Sequence, residues 1–209
     1  PSIGWNGVFN FVNNVLYNWV HRSVDGGDYT ALYNIVNNYY KPGPLTPKSA
    51  VGHRLVKPES GRSKLGYKVY GRVYCNGNSV EGNEAVTKDN WNGGVQVEGL
   101  PDTGQYTDNM RCNEPFPMTY LTIMSAKEAY NYVIKNVGAT HPKRDIVDER
   151  VLTEVKTGKA YYVKGLDPES FYQFQHRRLP ANSYEKGIIT DIAQVGGYPE
   201  YKGTPYVDT

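Results

Sequence analysis

A short polar segment of the sequence brings together side chains that can bind an anion. Residues 21–28 read HRSVDGGD, so His21 and Arg22 are followed by Asp25 and Asp28. Arginine holds a carboxylate through two parallel N–H bonds, which makes Arg22 with His21 a candidate carboxylate-binding pair. In the alternative interpretation, Arg22 pairs with Asp25 or Asp28 and only orders the loop. The sequence leaves both alternatives open.

Other reactive motifs are missing from the sequence. It contains no nucleophile elbow, phosphate-binding loop, HExxH motif or Cys-x-x-Cys framework. The acids Asp89, Asp102 and Asp108 are widely spaced loop residues that do not match an EF-hand. Lysine and arginine are scattered among acids and the formal charge is only +2, so nothing indicates a nucleic-acid-binding protein. The 19 tyrosines suit stacking on sugar rings, although strand packing explains most of them.

The two cysteines, the hydropathy and the first residue are relevant to the cellular compartment of the protein. Cys75 and Cys112 either form a disulfide in an oxidising compartment or remain as buried thiols, and both alternatives are open. No run of 18 apolar residues occurs, so the sequence predicts no membrane span. The chain starts with Pro1 rather than Met, and we expect that the natural N-terminus has been removed.

An internal repeat organises the first part of the chain. The segment NFVNNVLY at residues 10–17 recurs as NIVNNYY at residues 34–40, with a spacing of 24 residues. Each copy alternates as a β-strand does, is interrupted by an Asn-Asn pair, and continues with β-branched or aromatic residues. Such a repeat predicts stacked units with aligned asparagines. The alternative is a pair of unrelated, asparagine-rich strands.

The length of the repeat indicates the type of fold. Three strands of roughly five residues and three turns of about two to four add to roughly 21 to 27 residues, which is one coil of a parallel β-helix. Residues 66–78 alternate again and close on an Asn-Gly turn, and we expect a third, partly degenerate coil there. The predicted fold class is therefore mainly β, a right-handed parallel β-helix represented by its terminal coils.

The remaining chain predicts an extension with two short helices. The first follows the N-cap Ser125 and a capping box with Glu128, and ends at Gly138. The second begins near Asp145 and ends at Gly158. We divide the chain into coils with loops at residues 1–100 and an extension at 101–209, whose helices pack over an edge or an end of the β-helix. Residues 79–122 are expected to be irregular chain with short strands along its side, and a basic cluster at 176–178 is assigned to a solvated face in preference to a sugar-acid site.

Several stretches together resemble one enzyme family. They are residues 10–19, 22–28, 34–44, 52–54, 57–64, 88–95 and 187–192. Their order and spacing cover nearly the whole chain, and together they resemble the Bacteroides-type pectate lyases of polysaccharide lyase family 1.

The resemblance implies a fold, a reaction and a cofactor. The family has a right-handed parallel β-helix and cleaves polygalacturonate by β-elimination. An arginine in an Arg-x-Pro-x-x-Arg motif removes the proton from C5 of the sugar, and calcium held by upstream aspartates bridges protein and substrate carboxylate. Neutralising that carboxylate acidifies the neighbouring C–H bond. The implied localisation is secreted or periplasmic, and the implied partner is pectin.

The chain departs from the family pattern at its start. Pro1 aligns with the proline of the motif, so the catalytic arginine and the calcium-binding aspartates are expected upstream of Pro1. Gly4 stands where the second arginine of the motif is expected. At the other end, Asp208 is expected to be the first acid of an acidic segment. The chain thus resembles the C-terminal portion of a lyase, whose N-terminal portion is an expected partner.

Two hypotheses follow from the resemblance. In the first, the chain is part of a pectate lyase and contributes one wall of the substrate groove through Trp5, Asn6, His21 and Arg22, but no catalytic or metal-binding residue. In the second, it is a non-catalytic pectin-binding or uronate-binding β-solenoid that uses its tyrosines and basic loops. Both hypotheses predict binding to uronates.

Overall fold

The chain is mainly β, with nine short strands and three α-helices among the residues that the computed structural model describes. These residues are 1–60, 69–97, 110–140, 143–160, 191–195 and 197. The strands are β1 (Ser2–Ile3), β2 (Gly7–Val12), β3 (Val15–Tyr17), β4 (Asp25–Gly26), β5 (Ala31–Val36), β6 (Tyr39–Lys41), β7 (Lys57–Pro58), β8 (Arg72–Asn76) and β9 (Ser79–Val80). The α-helices are α1 (Glu84–Lys88), α2 (Ala126–Asn136) and α3 (Ile146–Thr157), and short 3-10 helices span Ala50–His53 and Ile192–Val195.

The strands form three parallel sheets, and each of three successive passes of the chain adds one strand to every sheet. Sheet A has the order β1-β4-β7, sheet B the order β2-β5-β8 and sheet C the order β3-β6-β9. In sheet B, Ile35 lies opposite Phe11 on one side and opposite Cys75 on the other. All strand pairs within the sheets are parallel, as the 24-residue repeat predicts. This arrangement is consistent with a parallel β-helix.

The second asparagine of each Asn-Asn pair forms a ladder across the passes. Asn14 donates from its backbone N and its Nδ2 to Asn38 Oδ1, at 2.9 and 3.0 Å. Asn38 donates in the same way to Asn78 Oδ1 at 2.9 and 2.8 Å, and Asn78 to Asn90 Oδ1 at 2.9 Å for both donors. The predicted alignment of the asparagines is thus confirmed, and the third pass contributes to it.

The core lies between the three sheets. Side chains alternate along a strand, so Tyr33 and Ile35 of β5 face inward and are fully buried. The buried hydroxyls remain hydrogen-bonded, since Tyr33 donates to Gly26 O at 2.9 Å and Tyr40 to Leu55 O at 3.0 Å. Phe11 in the first pass is only partly buried, because β2 has a neighbouring strand on one side only.

Two single bridges extend the sheets beyond the third pass. Val56 pairs with Val95 next to sheet A, and Val73 pairs with Arg111 next to sheet B, both in the parallel direction. Strand β9 and these bridges agree with the short strands expected among residues 79–122. This region also contains helix α1, which the sequence analysis did not predict, with Asn83 Oδ1 accepting from Val86 N at 3.0 Å.

Both predicted helices are present. Helix α2 begins after Ser125 with a complete capping box to Glu128, and α3 begins after Asp145 and ends at Gly158, whose φ is 70°. Helix α2 packs against β3 and β6 of sheet C. Tyr130 of α2 contacts Tyr39 of β6 with ring centroids 4.6 Å apart.

The cysteines are not paired in the structure. Cys75 and Cys112 are both free and buried. Cys75 faces the same side of sheet B as Val73, while Cys112 follows the bridge partner of Val73 by one residue and therefore faces the other side. The thiol alternative is the one the structure contains, and burial raises the pKa of the Cys75 thiol.

Several sequence expectations lie outside the described residues. They include the boundary near residue 100, the loop acids Asp102 and Asp108, the basic cluster at 176–178 and Asp208.

Candidate functional site

The outward faces of the three sheets differ in what covers them. Residues 113–124, which we call the strap, run along sheet B. Asn34 of β5 holds the strap by accepting from Phe116 N at 2.9 Å and donating to Phe116 O at 3.0 Å. Asn13 does the same with Met124, at 2.9 Å for the accepted bond and 2.7 Å for the donated one. Helix α2 covers part of sheet C. Neither the strap nor α2 hydrogen-bonds to the outward side chains of sheet A in the described part of the molecule.

The outward face of sheet A carries a group of alternating charges. Ser2, Asp25 and Lys57 lie opposite one another on β1, β4 and β7. Arg22 forms an ion pair with Asp25, and its Nη1 lies 3.8 Å from Glu59 Oε1. Lys57 Nζ lies 3.7 Å from the same carboxylate oxygen. We call Arg22, Asp25, Lys57 and Glu59 the sheet A charge cluster.

In the structure Arg22 pairs with Asp25 and orders the loop, as the second interpretation of this segment predicts. Its guanidinium donates to Asp25, whose side chain is only 6% exposed, and this pair anchors the loop before β4 to the sheet. The Arg22 side chain is nevertheless 45% exposed, so part of its fork of donors faces solvent. His21 is exposed beside it. Carboxylate binding by these two residues stays a prediction.

Trp5 and Asn6 lie at the other end of sheet A. They follow β1, whereas His21 and Arg22 precede β4, and parallel neighbouring strands place such positions at opposite ends. The structure therefore groups the four predicted site residues into two pairs rather than one cluster. Trp5 is 61% exposed.

Hydrogen bonds to backbone N–H groups and positive φ angles fix two turns, the one that carries Trp5 and the corresponding turn, with Tyr29, in the next pass. Asn6 has a positive φ of 56° and its backbone N donates to Thr30 Oγ1 at 2.9 Å, which ties the first turn to the second. In the second turn Thr30 N donates to Asp28 Oδ1 at 2.8 Å. Gly27 has a φ of 79°, and a Cβ there would lie 1.9 Å from the Tyr33 hydroxyl, so the turn requires glycine.

Sequence analysis missed Tyr29, Lys57 and Glu59 as members of this surface. Tyr29 is 46% exposed and stands two residues before β5, as Trp5 stands two residues before β2. The 24-residue repeat could have identified Tyr29, since it lies one period after Trp5. Lys57 and Glu59 carry no such signal, because the second and third passes differ in length.

The described side chains limit where a metal ion could bind. No group of three or more His, Cys, Asp or Glu side chains that could hold a metal ion occurs among the described residues. The acids of the sheet A charge cluster are engaged by Arg22 and Lys57. This surface thus offers cations and aromatic rings to a ligand, and no calcium-binding set.

Comparisons with known proteins do not assign the chain to a family. No family model matches it, and no curated protein sequence matches it. None of the described helices is both long enough and apolar enough to cross a membrane.

Proposed function

We propose that this chain is part of a pectate lyase that cleaves polygalacturonate by calcium-dependent β-elimination. The observation that carries the proposal is the stack of three parallel sheets with one strand per pass, which is consistent with the parallel β-helix that the family resemblance implies. On this proposal the fold is a right-handed parallel β-helix, and the protein is secreted or periplasmic, where its polymeric substrate occurs.

In this proposal the chain supplies a surface that binds galacturonate. A polygalacturonate chain presents one carboxylate per sugar, and the exposed part of Arg22 with His21 offers donors to such groups. Trp5 and Asn6 lie further along the same sheet, at the end of β1. An elongated ligand across the outward face of sheet A reaches both pairs, which a small ligand does not.

The catalytic groups are assigned to residues upstream of Pro1. Arg22 is a poor candidate for the base, because its guanidinium is already held by Asp25 and lies 3.8 Å from Glu59. Calcium, when bound, neutralises the substrate carboxylate and thereby acidifies the adjacent C–H bond. The resemblance implies that the calcium ligands lie upstream of Pro1, and the described residues contain no group of three or more His, Cys, Asp or Glu side chains that could hold a metal ion.

A second candidate function is a non-catalytic module that binds pectin or another uronate. The pairing of Arg22 with two carboxylates fits this candidate as well as the lyase, because in both Arg22 acts in structure and binding only. Both candidates bind polygalacturonate, but only the lyase cleaves it.

An assay of the purified chain separates the two candidates and tests the shared ligand. Binding to polygalacturonate is measured by titration, with an uncharged galactan as the reference polymer. We expect binding to polygalacturonate that weakens with added salt. Arg22→Gln and His21→Gln are expected to weaken it, while Lys88→Gln on α1, an exposed lysine away from sheet A, serves as the matched control.

Turnover is measured at alkaline pH with calcium, by the absorbance of the unsaturated product. Activity of this chain alone contradicts the upstream position of the base. Activity that appears only when an N-terminal portion is supplied supports the lyase, and binding without activity in its presence supports the module. Absence of polygalacturonate binding overturns both candidates.

A further inference from the structure

Two exposed aromatic side chains occupy the same position in successive passes of the chain. Trp5 and Tyr29 each stand two residues before a strand of sheet B, and these strands pair with Gly7 opposite Ala31. Their exposures of 61% and 46% are large for aromatic side chains. Neighbouring strands are about 4.7–4.9 Å apart, so the backbones at Gly7 and Ala31, two residues after Trp5 and Tyr29, lie one strand spacing from each other.

Both side chains have unused hydrogen-bonding groups. Neither the Trp5 indole N–H nor the Tyr29 hydroxyl has a hydrogen-bond partner in the described residues, and neither ring stacks on another ring there. The buried tryptophan Trp19, by contrast, donates from its indole to Val51 O at 2.8 Å. An exposed aromatic ring with a free polar group is a typical contact for a ligand that is apolar on one face and polar at its rim.

The two turns hold these side chains on a rigid base. The bond from Asn6 N to Thr30 Oγ1 links the turns, and Asp28 Oδ1 accepts from Thr30 N. A side chain on a fixed backbone loses less conformational entropy on binding than one on a flexible loop.

We propose that Trp5 and Tyr29 form a stacking platform for the pyranose rings of a polysaccharide chain. This inference rests on the proposed function for the identity of the sugar and adds the residues that recognise its rings. A galacto-configured pyranose has one face made of C–H groups, which fits an aromatic ring, and hydroxyls at its edge, which accept from the indole N–H and the phenol.

The surroundings of the platform favour a sugar over an apolar protein segment. Asn6, Asp28 and Thr30 border the two rings with amide, carboxylate and hydroxyl groups. The sheet A charge cluster lies along the same sheet and carries the exposed donors of Arg22. A hydrophobic partner would bury the Trp5 indole N–H, the Tyr29 hydroxyl and the exposed donors of Arg22 without water or hydrogen bonds, whereas a hydroxylated, acidic polymer satisfies them.

Tryptophan fluorescence gives a direct test, because Trp5 is the exposed member of the three tryptophans. Trp19 and Trp91 are only 7% and 4% exposed. In the free protein, acrylamide is expected to quench one accessible tryptophan. Oligogalacturonate is expected to protect that tryptophan from the quencher, and Trp5→Phe to remove the accessible component while leaving the buried emission in place.

Binding constants of variants test the platform without relying on fluorescence. Trp5→Ala and Tyr29→Ala are each expected to weaken polygalacturonate binding roughly two- to tenfold, the range for one aromatic contact. Tyr120→Ala is the matched control, because Tyr120 on the strap is fully exposed and lies away from sheet A. Thermal melting confirms that each variant is folded.

The outcomes separate this inference from the proposed function. If polygalacturonate binds and both variants bind as tightly as Tyr120→Ala, the platform is wrong and the proposed function stands. If the chain binds a neutral galactan in a manner that depends on Trp5 and Tyr29, and not polygalacturonate, the platform stands and the uronate assignment is wrong. If neither polymer binds, both are overturned.

Discussion

Asparagine is required at the ladder positions because one side chain must donate and accept at the same time. Asn38 accepts two N–H groups from Asn14 on its Oδ1, while its Nδ2 donates to Asn78 Oδ1 and to Phe11 O at 2.8 Å each. Aspartate lacks the donor, and an aliphatic residue lacks both groups. Asn38 is fully buried, so any group left unpaired there has no access to water.

Asn38→Ala therefore tests the ladder. The substitution leaves the backbone N–H and the amide of Asn14, and the carbonyl of Phe11, without this partner. We expect a loss of about 3 kcal/mol in the free energy of unfolding, measured by urea denaturation. Asn92→Ala, at an exposed asparagine, is the control and is expected to change the free energy by less than about 0.5 kcal/mol. Equal losses in the two variants contradict a structural role for the ladder.

The first residue of each Asn-Asn pair has a different role, set by the backbone. Asn13 and Asn37 have φ values of 57° and 52°, in the left-handed region, and the third pass has Gly77 there with a φ of 69°. Asparagine and glycine adopt this conformation more readily than other residues. The sequence therefore specified the bend from sheet B to sheet C in each pass.

The strap is attached by side-chain amides, which accept and donate hydrogen bonds as a backbone peptide group does. The Asn34 amide binds both the N–H and the C=O of Phe116, as a neighbouring strand does, and Asn13 binds Met124 in the same way. Sheet B is thus covered without a further strand on its outward face. This explains why Asn34, an outward-facing residue, is fully buried.

Amide hydrogen exchange tests this attachment at the level of the strap. Asn34→Ala removes the acceptor of the Phe116 N–H, and we expect the exchange of that amide to accelerate about tenfold or more. The Met124 amide, held by Asn13, serves as the internal control and is expected to change far less. If both amides keep their wild-type rates, Asn34 does not hold the strap.

The helices show how much local signals determine. The Ser125 capping box, the Asp145 cap and the left-handed Gly158 are properties of a few consecutive residues, and the bounds of α2 and α3 follow from them. The surface on which α2 packs was not predictable in this way. The Tyr39 and Tyr130 rings that join α2 to sheet C are 91 positions apart in the sequence.

At the scale of the whole molecule, the parallel stack of strands keeps the two cysteines apart as free thiols. Cys75 and Cys112 belong to neighbouring rungs but face opposite sides of sheet B, which prevents a direct bond between them in this fold. Burial also raises the pKa of the Cys75 thiol, which lowers its reactivity.

Thiol counting with a chromogenic disulfide reagent checks this arrangement. In the native protein at neutral pH, we expect both thiols to react slowly, because both are buried. In denaturant without reductant, we expect both of the two cysteines to react at once. No reactive thiol in denaturant, combined with a mass that is lower by two hydrogens, indicates a disulfide and contradicts the fold around sheet B.

The sequence by itself determined the strand repeat, the positions of the asparagines, the bend between sheets B and C and the caps of two helices. Each of these depends on the period of the chain or on neighbouring residues, which sequence contains directly. Only the tertiary structure decided that Arg22 is held by Asp25 and Glu59, that the four predicted site residues form two pairs at opposite ends of sheet A, and that Tyr29 stands beside Trp5. These depend on which strands become neighbours and on what covers each outward face, and such contacts join residues far apart in the chain.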